Sequence, residues 1–562
     1  MERRLIRLAS AILLCLVGGG AVAAISPHQG LAAPASPVTT LVSRDSGQGG
    51  TIAPDGAEPS LNGDGRFVTF ESGGNLGGLN PAGDHELWLR DRSANVTTLI
   101  SRQTGAGGLA AHDLRSGSVQ PRAVQQQQQG GGGASISADG RYVVFDSMAT
   151  NLIPNYTGRT TNCSGASGSP GDVYLRDTKL NITTLISHHA GAAAMPGNDQ
   201  SADPRISPDG TVITFATAAT DLTTESQSNA ACNLQVAAYK VATDTTTIVS
   251  RATNTGPLVL GAEGDNASDS LGSMNRDGTL IVFSSAARNL TADTPTTPPA
   301  DAEQIFLRDL SAGTTTLVSR ATGVAGAGGD EGSSHPTISL DGHLVAFSSE
   351  ATNFAPSHGT EDVYTRDLTT NTTTLVSSQG AGNTASTQAS SPVLSGDGSI
   401  VAYESEDSTF NGGTAQQLVV RDLAAGTNTI VSRADTASGS LGNAPSTDVA
   451  VNADGAVIAF ESLATNLTAD TPQGGANQTA LAFVRGAVPA LPSPTPGPTA
   501  TPTPTATPTA SPAGVIAPPN TGGGAATPPG SGFPWTLLAL LVLPSLAPGL
   551  ALWRPRVRRR VR

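Results

Sequence analysis

Charge, aromatic side chains and sulfur are all scarce in this chain. Of 562 residues only 14 % are charged and 4 % aromatic, and there are three Cys, four Met and three Trp. Set beside 65 Gly and 38 Pro, that scarcity argues against a helical enzyme core and for many short strands joined by turns. The length exceeds one ordinary core, so several domains or a repeat array are expected. Cations are scarcer still where they matter. The formal net charge is −14, but nine of the 31 Lys and Arg are arginines at the two ends; without them and Glu2 the body holds 22 cations against 44 anions. Such a body repels phosphate backbones, which excludes nucleic-acid binding.

Both ends read as targeting segments. Met1 to Arg7 is basic, Leu8 to Val17 is apolar, and Ala21-Val22-Ala23 offers a cleavage site, so residues 1–23 are expected to be a secretory signal that carries Cys15 away with it. Residues 533–553 form an uncharged span bracketed by Trp535 and Trp553, long enough to cross ~30 Å of hydrocarbon. The basic tail 554–562 follows, which predicts a cytoplasmic C-terminus and a body outside. Between body and span, residues 489–532 are dominated by Pro, Thr, Ala and Gly, the composition of an extended stalk that buries no core.

Aligned to itself, the body gives seven copies of one unit. Each has Asp-Gly with an aromatic six residues after the Asp: Asp64/Phe70, Asp139/Phe145, Asp209/Phe215, Asp277/Phe283, Asp341/Phe347, Asp397/Tyr403 and Asp454/Phe460. The runs between, such as Tyr142-Val143-Val144-Phe145, are too short for helices and apolar on both faces, as befits a strand between two neighbouring sheets. A loop follows, then a strand ending in Arg-Asp, as at Leu87 to Asp91 and Val363 to Asp367, then Thr-Thr-Leu-Val-Ser or a variant. With a short strand before each Asp-Gly turn, every unit holds four strands. Seven such units predict an all-β, seven-bladed β-propeller over residues 38–488. The seventh unit lacks its closing strand, and Val38 to Arg44 precedes the first unit with the matching sequence, so the N-terminal strand is expected to close the ring.

Ser207-Pro208-Asp209-Gly210, its variants Ser137-Ala138-Asp139-Gly140 and Asn452-Ala453-Asp454-Gly455, and the Val-x-Phe that follows resemble the TolB-type, WD40-like bacterial propeller repeat. The resemblance implies the fold; propellers of this type serve as scaffolds, partner platforms and enzyme appendages alike. The chain departs from TolB in having an anchor and a Pro/Thr stalk and no preceding α/β domain, so a role in envelope translocation does not carry over.

No catalytic residues are identified. Gly-x-Ser-x-Gly and His-Glu-x-x-His are absent, His188 and His189 are adjacent and so sent to opposite faces, and the body's one Trp, Trp88, lies outside any aspartate box. The Asp-Gly pairs are read as turns and the Arg-Asp pairs as structural. The connections entering successive inner strands hold Asp55 and Glu58, Asp199 and Asp203, Asp265 and Asp269, and Asp330 and Glu331. Propeller topology brings these connections to one face, where converging acids would suit a ligand or Ca²⁺, although no full metal-ligand set is spaced there. Cys163 and Cys232 lie 18 and 17 residues after Phe145 and Phe215, in equivalent loops of adjacent blades, which predicts an interblade disulfide in an exported protein. Pro519-Asn520-Thr521-Gly522, preceded by Pro518, is similar to the L-P-x-T-G signal cut by sortases, with span and basic tail placed as such signals need. The expectation is a monomeric, surface-held, non-catalytic propeller that binds an extracellular protein, glycan or cell-wall component. The alternative is a polysaccharide lyase or hydrolase using the channel.

Overall fold

The seven Asp-Gly pairs are tight turns. In each, the aspartate carboxylate accepts the backbone N–H two residues on, as from Arg66 to Asp64 at 2.9 Å and from Ser399 to Asp397 at 3.0 Å. The glycine takes a φ between 67° and 77°, a conformation costly for any residue with a Cβ. Packing adds a second demand. A Cβ on Gly210 would lie 2.8 Å from Tyr142 Cδ2 of the preceding unit, and one on Gly140 only 2.4 Å from Phe67 Cδ2.

The computed structural model describes residues 38–487, except 54, 81–82, 112–133, 157–170, 225–232, 255–261, 267, 270–271, 295–301, 355–359, 379–387, 408–414, 435–438 and 472–478. The chain divides into two units, Met1–Ser493 and Pro494–Arg562, of which the second lies outside the described residues. So do the proposed signal, stalk, membrane span, Cys163, Cys232 and the sorting-like motif. Among the described residues no helix is long and apolar enough to cross a membrane.

Around each turn the chain pairs antiparallel with itself. Blade 1 consists of Ala57–Leu61, Phe67–Ser72, Glu86–Asp91 and Val96–Leu99, ordered from axis to rim. Blades 2 to 6 repeat this plan with consecutive strands. Blade 7 takes three strands from one end of the body, Ser446–Val451, Ile458–Ser462 and Leu481–Arg485, and its rim strand, Thr39–Leu41, from the other. The register is Thr39↔Arg485, Thr40↔Val484 and Leu41↔Phe483. The fold is thus an all-β seven-bladed propeller closed by its N-terminal strand, which leaves no open ring edge. Its one helical element among the described residues is the 3₁₀ turn Leu76–Gly78.

The six-residue offset from Asp to aromatic has a packing cause. It sets the second-strand ring against a third-strand ring in the same blade: Phe283 on Phe306 at 5.8 Å, Phe347 on Tyr364 at 6.1 Å and Phe460 on Phe483 at 5.8 Å, all stacked. Second strands are buried on both faces because each blade is covered by two others. Leu87, Leu89 and Ile100 of blade 1, for example, share a core with Val143 and Phe145 of blade 2.

The Arg of each Arg-Asp pair also joins blades. Arg366 donates to the Arg320, Ala321 and Gly323 carbonyls of the preceding blade at 3.1–3.3 Å and to Thr373 Oγ1 and Asn371 Oδ1 of its own. Burial pushes its guanidinium down to about 10, and every acceptor on this list is a neutral oxygen.

Candidate ligand-binding site

Inner strands expose one backbone edge to the propeller axis, and five of them break register there. In blade 3, Ala202 faces Ala216 and the next pairing is Arg205 with Thr214, so Asp203 and Pro204 form a bulge. Blades 1, 5, 6 and 7 carry the equivalent shift. The first bulged residue is left-handed each time, with φ of 49–53° at Glu58, Asp203, His335, Ser391 and Asp448. Such backbone in residues other than glycine concentrates at functional sites. Four of the five precede a proline, namely Pro59, Pro204, Pro336 and Pro392. Proline is tolerated there because the axial edge has no ladder partner for the missing N–H.

At three of the five bulges the left-handed backbone turns the N–H toward the preceding blade. Glu58 N donates to Glu461 Oε2 at 3.2 Å, Asp448 N to Glu404 Oε1 at 3.1 Å and Ser391 N to Ser348 Oγ at 3.2 Å. The acceptors stand one residue after the landmark aromatics of blades 7, 6 and 5. Carboxylates therefore gather in one sector of the axis. Glu404 is buried, and burial, then repulsion from Asp448, pushes its carboxyl up to about 8. Glu361, next to the third strand of blade 5, is pushed up to about 7 by burial, against a hydrogen bond from Ser348. Glu461 is raised by burial and by the neighbouring Asp448. Gln416 Nε2 donates to Glu404 Oε2 at 2.5 Å. The Ser391 hydroxyl is buried without a hydrogen-bond partner.

Of these groups Glu58, Ser391, Glu404 and Asp448, together with His335, line an axial cavity of about 310 Å³. At the far end the residues just before the seven Asp-Gly turns are tied into a ring by backbone hydrogen bonds. The bonds run from Gly63 N to Ala138 O, Ala138 to Pro208, Asp209 to Arg276, Arg276 to Leu340, Leu340 to Gly396, Asp397 to Ala453, and Ala453 back to Gly63, at 2.8–3.2 Å. Asp209 and Asp397 donate from one position further on, the first of them because Pro208 has no N–H. Polar side chains line the wall between, and Ser135, Ser273 and Thr337 each accept an N–H from the next inner strand, those of Ile206, Ile338 and Leu394, at 2.8–3.3 Å. The result is a cup with an acidic mouth and a drawn-in floor.

The acids singled out in the sequence divide. Asp203, like Glu58, occupies a left-handed position on an inner strand. Asp330 does not: its carboxylate accepts the N–H groups of Thr352 and Asn353 and the Thr352 hydroxyl, while its own N–H reaches Asn353 Oδ1. Asp265 is clamped alike with Arg288 and Asn289. Asn198 and Asn443 fill the same place in blades 3 and 7 with the same bonds to Thr220 and Thr465. A position served equally by amide and carboxylate uses an acceptor oxygen rather than a charge. Asp199 is buried and accepts Gln200 N, Glu331 gives its carbonyl to Gln304, and Asp269 pairs through its backbone with Ser284. Asp55 binds Ser72 Oγ and Gly73 N. Among the described residues no group of three or more His, Cys, Asp and Glu is placed to hold a metal ion. Glu361, Glu404, Glu461 and Asp448 escaped the sequence reading. A signal existed for the rim itself: a polar residue and proline with the proline five residues before Asp-Gly, as in Glu58-Pro59, Asp203-Pro204, His335-Pro336 and Ser391-Pro392.

No family model matches the chain, and no curated protein matches its sequence. Similar solved structures include TolB from Acinetobacter baumannii, at 14 % identity and a TM-score of 0.31 over 61 % of this chain and 58 % of that one. The chain thus spans under two thirds of that TolB's length. An oligogalacturonate lyase in complex with manganese matches at 12 % identity and a TM-score of 0.42, over 81 % of this chain and 98 % of that one. The β-propeller domain of the Trilobed protease from Pyrococcus furiosus matches at 10 % and 0.40, over 73 % and 91 %. At such identities the likeness carries nothing about activity.

Proposed function

We propose that this chain is a non-catalytic binding propeller, displayed outside the cell, whose axial cup receives part of an extracellular protein, glycan or cell-wall component. The observation that supports this reading is the cup itself: one acidic mouth, a floor narrowed by seven backbone bonds, and walls of hydroxyl and apolar groups with the single cation Arg205. A cavity of that size suits one sugar ring or one side chain rather than a long polymer threaded through. The stalk, the membrane span and the Pro519 to Gly522 motif complete the proposal as the means of display, by a permanent anchor or after sortase cleavage.

The test is a glycan array and a cell-wall pull-down with the full chain and with Asp448→Asn. A ligand retained by the parent and weakened roughly tenfold by the variant supports the reading. A ligand held equally by both places binding elsewhere and ends it.

One observation favours the second reading, a polysaccharide lyase or hydrolase. At the cavity mouth burial pushes the Glu404 carboxyl up to about 8, which suits a general acid. Chain cleavage by the parent that is abolished in Glu404→Gln would establish it, and the binding reading expects no cleavage.

A further inference from the structure

Six of the seven junctions between blades carry the same guanidinium, and one does not. Arg90, Arg176, Arg308, Arg366, Arg421 and Arg485 each donate to carbonyls of the preceding blade, among them Asp45, Gln103, Ala252, Ala321, Ser378 and Arg433, at 2.7–3.3 Å. In blade 3 the equivalent residue is Tyr239, and the turn residue that is Asn95, Asn181 or Asn371 elsewhere is Asp244, left-handed like them. Facing these from blade 2 is His188, where blades 1 and 4 have Arg102 and Arg320. His188 Nε2 lies 2.8 Å from Asp244 Oδ1, the Tyr239 hydroxyl donates to the same oxygen at 2.8 Å, and the imidazole meets the Tyr239 ring edge-on at 5.9 Å.

We infer that the junction between blades 2 and 3 is a pH-sensitive seam, held by a charged His188–Asp244 pair and loosened when the imidazole loses its proton. The second ring nitrogen decides the charge. Nδ1 lies 2.9 Å from the His189 carbonyl, so both nitrogens face oxygens that only accept. A neutral imidazole has one N–H and would set a lone pair against one of them, whereas the imidazolium donates to both. The ring is 3 % exposed, so water does not readily replace a lost partner. The titratable groups facing it are Asp244 and Tyr239 of blade 3, with His189 next to it in the chain; Lys240, beside Tyr239, is exposed. Tyr239 is raised by burial and by its bond to Asp244, so it stays a donor throughout, and Asp244 is held low, first by the Tyr239 hydroxyl and then by His188. The imidazole is therefore the group that changes. The ion pair and the second donated bond exist only while the ring carries both protons, so the stabilisation they give is present at low pH and lost as pH rises through the imidazole range. Residues 189–200 lead from this seam into the inner strand Ser201–Ile206, which carries Asp203, so the loosening lies one loop from the cup.

Hydrogen exchange on the full chain at about pH 5.5 and about pH 8, corrected for intrinsic rates, tests this. Peptides covering 182–200 and 235–248 should lose protection about fivefold at the higher pH, while those around Arg366 keep theirs. The double variant Tyr239→Arg with Asp244→Asn restores the residues of the other junctions and should abolish the difference. Asp244→Asn alone should lower protection at the acid pH to the level seen at the alkaline one. Equal protection of the parent at both values, or a pH difference that survives in Asp244→Asn, overturns the inference.

Discussion

The Arg485 guanidinium donates to Thr39 Oγ1 at 2.8 Å, joining two residues 446 apart in sequence. The same Arg485 reaches the Arg433 and Ala434 carbonyls of blade 6, so the clamp used at other junctions is completed here by a threonine from the far end of the body. Deleting residues 38–44 removes that threonine, the rim strand and Leu41 from the blade 7 core. The melting temperature should fall by at least roughly 10 °C in differential scanning calorimetry. A deletion variant as stable as the parent would show that the ring does not need closing.

Gly210→Ala sets a Cβ at φ +77° and 2.8 Å from Tyr142 Cδ2. Strain and the displaced ring together should destabilise by about 1–3 kcal/mol. Gly191→Ala, at φ +78° with nothing within 4 Å, provides the control for φ alone and should cost about 1 kcal/mol. Chemical denaturation that finds the two equal would remove the packing half of this argument.

Glu86 stands where blades 3, 4 and 6 have Gln235, Gln304 and Gln417, whose amides donate to the Gly264, Glu331 and Gly442 carbonyls at 2.8–3.4 Å. Its Oε2 accepts the Ser101 hydroxyl, its Oε1 is buried without a partner, and burial pushes the carboxyl up to about 8. A folded-state value above the unfolded one means that the folded chain holds a proton the unfolded chain has released between about pH 4.5 and about pH 8. Stability from this site is therefore present at acid pH and declines as pH rises across that window. Glu86→Gln should raise the melting temperature by roughly 2 °C at pH 8 and by less at pH 5. A gain independent of pH would mean that Glu86 is ionised in the folded chain.

The disulfide expected between Cys163 and Cys232 lies outside the described residues and is open to a direct check. Intact mass of the exported protein under non-reducing conditions should be two hydrogens below that of the reduced form. Alkylation of both thiols without prior reduction would refute the pairing.

Thr521→Ala separates the two modes of anchoring. Cleavage at the sorting-like motif predicts that the variant moves from a wall-bound to a detergent-extractable fraction. Equal fractionation of variant and parent would leave the permanent membrane anchor.

How far sequence alone reached follows from the range of the forces involved. Asp-Gly turns, the aromatic six residues on and the Arg-Asp strand ends are local chemistry repeated seven times, so their period betrayed four strands per blade, the blade number and the strand missing from the last unit. The loop-clamping bonds of Asp265 and Asp330 were not legible at the same level, because an acid in a loop looks like a ligand until Asn198 and Asn443 are seen making the same bonds. The acidic sector was beyond local reading. Glu58, Glu361, Glu404 and Asp448 lie on four different blades, each an ordinary polar residue among its neighbours, and only ring closure brings Glu58 beside Glu461, 403 residues away. The same holds for His188. Its sequence context shows two adjacent histidines after a strand, and its partner Asp244, with Tyr239, lies across a junction that exists only once blades pack. Sequence by itself determined the repeat, because turns and strand periods are written within a few residues. Tertiary structure decided which acids share a cup and which junction lacks its arginine, because burial and electrostatics depend on distances that the closed ring creates.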